Sequence, residues 1–378
     1  MYVIVGIPSY NEADSIVGVV RAADQGLGLL AREFPDLRAL ILNADNNSPD
    51  GTTRAFLEAP TSWDKKAITT PGEPGKGKNI LAMVALAQAE RADCLLMLDG
   101  DLESAEPEWI VSLVRPVLLD TADFVTPEYD RTLFDGSITY HFAWPLLLSV
   151  FGRDIHQPIA GDFALGRRLL SHVHQDATPS PVFLYGIDIY LTLTAVTQDL
   201  RIATASLGGK LHKPSHPKLL TMFPQVANSA ALFVTLSAPG ERTGLSDAVE
   251  KMSFLRNAPF AQRDYATQLL SSMLPRAAEL CRVVGWLSEL EAEVLTALIE
   301  WKGLPAGIWS KILAAWIRHL RGPSRDAADW GEELMPFFMI RAVTFWLMVA
   351  TSGEDSAVRD LKQVPLLLHE QLRRCSHP

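Results

Sequence analysis

The chain has 378 residues, 48% of them hydrophobic, enough to bury a full core in one large domain with an extension or in two domains, which favours an enzyme over a small binding module. Its formal charge of -10 and the absence of any long basic run argue against a nucleic-acid partner, because phosphates would have to be met by a local patch. Cys94, Cys281 and Cys375 are far apart, odd in number and without CxxC or His-flanked spacing; that argues against a disulfide framework and a cysteine-zinc site, and a reducing cytoplasm fits.

The opening "MYVIVGIPSYNE" lacks the basic segment, long apolar stretch and small-residue cleavage site of a secretory signal, and Val3 to Ile7 reads as a first strand. Asp14 and Ser15 are placed to cap a helix in which Ile16, Val19, Val20 and Ala23 recur at helical spacing. "RALILNADNNSPDG" repeats the theme, a strand followed by a polar turn. A weaker strand near Ala67 to Thr70 precedes "PGEPGKGKNILAMVALAQAER", a Gly/Pro loop feeding a helix. The Leu95 to Leu98 strand follows, and then a helix in "EPEWIVSLVRPVLL". This alternation predicts an α/β fold with a mostly parallel sheet flanked by helices.

Beyond about Ala238 the β-type pattern stops. In "GIWSKILAAWIRHLRG" the residues Ile308, Trp309, Ile312, Leu313, Trp316, Ile317 and Leu320 form one broad apolar face, so the C-terminal part reads as an α-helical extension with its Trp residues in the core. "LSAPGERTGLS", residues 236–246, marks the change, giving expected domains of 1–238 and 239–378. Leu334 to Ala350 is the one membrane candidate; with Arg341 at its centre and Pro336 near its start it reads as a buried bundle helix, without stable membrane insertion.

"CLLMLDGDLES" sets the functional question, because an apolar run with the length of a buried strand ends in Asp99, Asp101 and Glu103. The plain reading is a turn at Gly100 with its acids in water; the other is a cation site holding a diphosphate at the carboxyl edge of a parallel sheet. Pro8 to Glu12, Asp45 to Thr52, Gly75 to Lys78 and Asp99 to Glu103 all follow strands, and in a parallel sheet such loops gather on one edge. Jointly they offer acceptors for a base or ribose, free amides and Lys76 for phosphate, and a carboxylate pair for a divalent metal. A departing diphosphate builds negative charge, which a hard cation and Lys76 would neutralise. Gly75 and Gly77 would let backbone approach the ligand closely. Neither a Walker loop nor a GxGxxG fingerprint is present.

"PSYNEADSI", "ADNNSPDGT", "PGKGKN" and "LDGDLES", in this order, resemble the nucleotide-sugar half of GT-A fold glycosyltransferases. The resemblance implies that Asp99, Gly100 and Asp101 bind the donor with Mg²⁺ or Mn²⁺, with Asp101 the principal metal ligand, and that Pro8, Asn11, Glu12 and Asp45 line the nucleoside site. Asn46 stands where many relatives have a second Asp. "HQPIAGDFALGRRLL", "YGIDIYL" and "GGKLHK" then look like the retaining branch that makes mannosylglycerate and glucosyl-3-phosphoglycerate. That likeness assigns Asp188 as the catalytic acid group, His212 as a metal ligand beside Asp101 and Asp99, with His216 as a weaker candidate, and Asp162 to the acceptor side in place of the usual Glu. Taken by itself, Asp188 would be a helix N-cap.

In "EYDRTLFDGSITYHF", which lies where relatives hold glycerate, Arg131 is suited to grip a carboxylate, with Asp135, Gly136, Ser137 and Thr139 meeting hydroxyl groups. The 3-phosphoglycerate enzymes carry an additional Arg there; "DGSIT" tilts the expectation toward unphosphorylated glycerate or a similar hydroxy acid. The implied donor is a GDP- or UDP-hexose. Two rivals stand: an inverting enzyme like the dolichyl-phosphate mannose synthases, to whose motif "DNNSPDGT" is close, and an idle sugar-nucleotide sensor. The apolar helical faces also permit a homodimer.

Overall fold

The first expected strand runs somewhat longer than its apolar core, as β1 (Tyr2–Ser9), and lies beside β2 (Arg38–Asp45) in a computed structural model. The structure describes residues 1–174, 180–213, 218–235, 245–261, 263–301, 303–322 and 329–374, with the Trp301 side chain outside the description. The sheet is completed by β3 (Asp64–Thr69), β4 (Cys94–Met97), β5 (Phe124–Asp130), β6 (Ala164–Gly166) and β7 (Ile202–Gly209), in the order β3-β2-β1-β4-β6-β5-β7. All pairings are parallel except those of β6, which runs antiparallel to β4 and β5. The order turns back at β1 and β4, so the loops after β1, β2, β3 and β4 open on one edge, where open α/β sheets take ligands.

Burial follows the pattern of the sequence. Val3, Ile4, Val5 and Ile7 of β1 and all four residues of β4 are without exposed surface, as strands covered by helices on both faces require. Helix α1 (Ile16–Glu33) turns Ile16, Val19, Val20, Ala23, Leu27 and Leu30 inward. It meets α4 (Pro107–Leu118) at Gly26, where a Cβ would stand 2.5 Å from the Pro107 carbonyl oxygen. Between them in the chain come α2 (Thr52–Glu58) and α3 (Lys76–Ala89). The expected Ser15 cap is used differently: the Ser15 hydroxyl bonds the Gly100 carbonyl at 2.8 Å, tying the start of α1 to the loop after β4.

The chain divides by its contacts into one unit of Met1–Asp130 with Gln157–Pro217 and another of Arg131–His156 with Lys218–Pro378. The expected boundary at 238/239 lies outside the described residues; the division takes 131–156, and everything from Lys218 onward, into the helical unit. The reason is packing: within the helical unit Phe142 sits edge-on to Phe223 and Trp316, and Trp309 donates through Nε1 to the His141 carbonyl at 2.7 Å. Its helices include α6 (Leu219–Val234), α7 (Arg263–Val283), α8 (Ala306–Arg321), α9 (Trp330–Ser352) and α10 (Glu354–Arg374).

All seven residues of the expected α8 face are buried. Among the described residues α9 is the one helix long and apolar enough to cross a membrane, and 72% of its apolar window is buried against the protein. Arg341 at its centre has no exposed surface and meets Asp360 at 2.5 Å and the Leu304 carbonyl at 3.2 Å. A guanidinium so placed belongs to a packed core.

Candidate active site

In the first unit the loop after β4 meets two lysines. Lys76, at the first position of α3, stands 2.8 Å from Asp99 Oδ1 and 2.9 Å from Asp188 Oδ2, and Lys210, just after β7, stands 3.3 Å from Asp99 Oδ2 and 2.5 Å from Asp162 Oδ2. Asp162 has no exposed surface; it accepts from the Asp99 backbone N–H at 2.9 Å and the Tyr129 hydroxyl at 2.7 Å. Its expected contact with an acceptor therefore has no exposed surface to act through in this structure: the shorter Asp is consumed in orienting Asp99. Gly161 adopts φ +88°, and a Cβ there would stand 2.4 Å from Asp99 Oδ2 and 2.8 Å from Lys76 Nζ, so glycine is required where that cluster closes.

Asp188 is the second residue of α5 (Ile187–Thr197), not its N-cap, and a short 3-10 turn, Ser180–Phe183, precedes it. Its Oδ1 is buried with no hydrogen-bond partner among the described residues, while Oδ2 is held by Lys76. Burial raises its carboxyl pKa, and Lys76 opposes that rise. Burial would raise Asp99 too, but Lys76 and Lys210 together hold it well below the carboxylate range. Burial works against the Lys76 ammonium, and Asp188 and Asp99 outweigh it, keeping its pKa high.

Gly75 and Gly77 serve a purpose other than the expected approach to ligand. A Cβ on Gly77 would lie 1.8 Å from the Val182 carbonyl oxygen, and one on Gly75 would lie 2.5 Å from that of Phe183; the Gly77 N–H also bonds the Leu184 carbonyl at 3.0 Å. The glycines let the 182–184 backbone lie against α3, which sets the reach from Lys76 to Asp188. Gly77→Ala is expected to lower stability by about 1–3 kcal/mol or more, read by thermal unfolding, because both crowded atoms are backbone.

The nucleoside edge is laced together. Asn11 stands at φ +61°, and its N–H reaches Ser48 Oγ at 2.9 Å, while the Glu12 N–H reaches Thr52 Oγ1 at 2.8 Å. Asp45, 2% exposed, accepts from Ser9 Oγ at 2.9 Å and from the Ser48 hydroxyl and backbone N–H at 2.6 and 2.7 Å. The Pro8 carbonyl faces Gly100, where a Cβ would come within 2.9 Å. Lys213 reaches Glu12 at 2.6 Å and Asp14 at 2.9 Å.

Asp101 differs from Asp99. Burial and the Asp99 charge push its pKa up to about 6, and Glu12 adds to this. Leu102 and His212 form an isolated antiparallel β-bridge, and the Glu103 N–H bonds the Leu211 carbonyl at 2.9 Å, so backbone pairing brings His212 alongside the DGD turn. His212 Nδ1 lies 2.8 Å from the Lys213 carbonyl; a carbonyl only accepts, so Nδ1 carries the proton, and in the neutral ring Nε2 would carry the lone pair. No ready-made cluster of three acidic, His or Cys ligands occurs among the described residues. Asp101 and His212 suit an ion that arrives with phosphate oxygens completing its shell, as Mg²⁺ does. His216 lies outside the described residues.

The expected acceptor residues Arg131, Asp135, Gly136, Ser137 and Thr139 belong to the second unit. There Arg131 pairs with Asp135 at 2.6 Å, Asp135 also accepts from the Gly136 N–H at 2.7 Å, and Gly136 takes φ +68°. Arg131, Ser137 and Thr139 are buried. Sequence reasoning missed Lys210 and Tyr129. Lys210 was within reach, since it lies two residues before His212 in the same "GGKLHK" stretch; nothing local marks Tyr129.

Residues 4–170 match the model of glycosyl transferase family 2. The family 2 match ends before Asp188, Lys210 and His212. The chain is 27% identical over 228 residues to glucosyl-3-phosphoglycerate synthase of Mycolicibacterium paratuberculosis, covering 55% of this chain and 64% of that protein, so it spans less than two thirds of the relative's length. It also superposes on the crystal structure of glucosyl-3-phosphoglycerate synthase from Mycobacterium tuberculosis in complex with Mn²⁺, UDP and phosphoglyceric acid, with a TM-score of 0.50 and 23% identity over 61% of this chain and 78% of the other. At that identity the likeness is one of fold. The GT-A fold and the resemblance to this group both hold.

Proposed function

We propose that the protein is a metal-dependent, retaining hexosyltransferase that moves mannose or glucose from a GDP- or UDP-sugar to glycerate or a similar small hydroxy acid, with or without a 3-phosphate. The observation that carries this reading is the convergence on Asp99: Lys76 joins it to Asp188, and Lys210 joins it to Asp162, so the DGD turn and the carboxylate that would act at the sugar share one partly buried ammonium. The name of the relative in Mycolicibacterium paratuberculosis supports a phosphoglycerate acceptor, and "DGSIT", without an additional Arg, favours the unphosphorylated acid.

Glu12, Asp99, Asp101, Asp162 and Asp188 outnumber Lys76, Lys210 and Lys213 at this edge, so a diphosphate needs an added cation to settle there. We assign Mg²⁺ or Mn²⁺ to Asp101 and His212, with Asp99, whose oxygens both face lysines, as a weaker third ligand. The ion supplies positive charge to the leaving diphosphate. Lys76 adds a fixed charge on the same side. The unpartnered Oδ1 of Asp188 is suited to accept a hydroxyl proton in a hydrogen bond, from the sugar or from the incoming alcohol. Pro8, Asn11, Glu12 and Asp45 frame the nucleoside. Cys94 and Cys281, both buried free thiols, support a cytoplasmic setting.

The test is a grid of GDP- and UDP-hexoses against glycerate, 3-phosphoglycerate, related hydroxy acids and a polyprenyl phosphate with Mn²⁺ or Mg²⁺, followed by NMR of any product. An α-linked glycoside of a hydroxy acid is the expected result; a β-linked lipid phosphate would favour the dolichyl-phosphate mannose synthase-like rival, and metal-dependent turnover of any donor excludes the idle sensor. Asp188→Ala is expected to lose at least about 100-fold in kcat while nucleotide affinity stays within a few-fold, because Asp188 acts at the sugar and not at the nucleoside; kinetics beside calorimetry separate the two.

A further inference from the structure

We propose that Asn46 is a positioning residue, whose amide closes a ring of three side chains that holds Gly75 and thereby aims Lys76 at the donor's diphosphate. The ring is fully traceable. Asn46 Nδ2 donates to Thr70 Oγ1 at 2.5 Å, the Thr70 hydroxyl donates to Asn79 Oδ1, and Asn79 Nδ2 donates back to Asn46 Oδ1 at 3.0 Å. Two backbone groups fix its direction. The Gly75 N–H, which can only donate, reaches Asn46 Oδ1 at 3.1 Å, and the Ser9 carbonyl, which can only accept, takes Asn79 Nδ2 at 3.1 Å. The amide orientations are therefore set by chemistry. Asn46, Thr70 and Asn79 are 4%, 6% and 1% exposed, so water cannot substitute for a lost bond.

The ring also ties the ends of the first three strands to the start of α3. The Asn46 N–H bonds the Ser9 carbonyl at 3.2 Å, and the Thr70 N–H bonds the Asp45 carbonyl at 2.9 Å. Gly75 immediately precedes Lys76, whose ammonium must meet both Asp99 and Asp188. An Asp at 46 cannot close this ring. It has no N–H for Thr70, and Thr70 has one proton for two acceptors; because Asn79 Nδ2 is committed to Ser9, its Oδ1 cannot turn away. A second carboxylate would also lie next to Asp45 in the chain, whose own oxygens are already taken by Ser9 and Ser48. The residue type that departs from many relatives is thus the one this network demands.

The inference rests on the reading of Lys76 as a diphosphate ligand. It is tested by a double-mutant cycle of Asn46→Asp and Lys76→Met, run on Asp188→Asn protein so that loss of Lys76 leaves no unpaired carboxylate opposite Asp99. UDP and GDP, each with Mn²⁺, are titrated by calorimetry. Each single change is expected to weaken binding by about 10–100-fold, and the pair no more than Lys76→Met alone. Additive losses, or a changed preference between UDP and GDP in Asn46→Asp, would overturn the proposal, the latter by indicating direct contact with the base. Failure of the parent protein to bind either nucleotide would count against the functional reading instead. The ring is then judged without ligand: crystal structures of Asn46→Asp, or of Thr70→Val should the former not fold, are expected to have the Lys76 ammonium displaced from Asp99 and Asp188. An unmoved ammonium would overturn it.

Discussion

Asp101→Asn is expected to make the ligand-free protein more stable at pH 7.5 while abolishing metal-dependent nucleotide binding. Burial and the charge of Asp99 push the Asp101 carboxyl up to about 6 from its ordinary 3.8. The folded chain then binds more protons than the unfolded chain between those values, and its stability falls as the pH rises through that window. Above about 6 the full penalty is present, and below about 4 it is gone. Removing the charge should therefore recover on the order of 1–2 kcal/mol at neutral pH, allowing for partial exposure, and nothing at pH 4. Urea unfolding at the two pH values, beside calorimetry with Mn²⁺ and UDP or GDP, reads both halves. A variant that binds Mn²⁺ and nucleotide as the parent does would defeat the metal assignment. A site that costs stability when empty and is relieved by its ligand is common where function requires buried like charges.

Lys76→Met is expected to have the larger effect on folding, about 3–5 kcal/mol at pH 8. It leaves Asp188, whose Oδ1 already lacks a hydrogen-bond partner, without its cation, and it takes from Asp99 one of two ammonium contacts. The relief available to the variant is protonation of Asp188. Its folded-state carboxyl pKa rises further, so the deficit is greatest at high pH and shrinks as the pH falls through that raised value. Adding Asp188→Asn should restore a large part of the loss at pH 8. A pH-independent deficit, or no recovery in the double variant, would show that Lys76 contributes by packing and not by charge.

Much of the fold was legible because it follows from local repetition. The apolar runs of β1, β2 and β4, the α1 stripe and the α8 face are each encoded within a few residues of themselves, and the loops that gather at the sheet edge follow from parallel order alone. Long-range pairing was not legible. Three-residue β6 is too short to carry a period, and 131–156 joins the helical unit through contacts with residues beyond 218. Lys76 was read from the sequence as a charge for phosphate, whereas its bridge to Asp188 spans 112 positions and depends on glycines whose neighbours are 182–184. Asp162 and Asn46 carried a substitution that could be seen in the sequence, whereas the burial that explains each could not.

The bridge between Leu102 and His212 bears on how the proposed cation site would assemble. Asp101 and His212 come from positions more than a hundred residues apart, yet His212 pairs with Leu102, the residue next to Asp101, so backbone pairing brings their two segments together. Most of the conformational entropy that a two-point chelate would otherwise lose on capture is already spent when the chain folds. Affinity for the ion should then depend chiefly on how many of its remaining coordination positions the incoming nucleotide can fill.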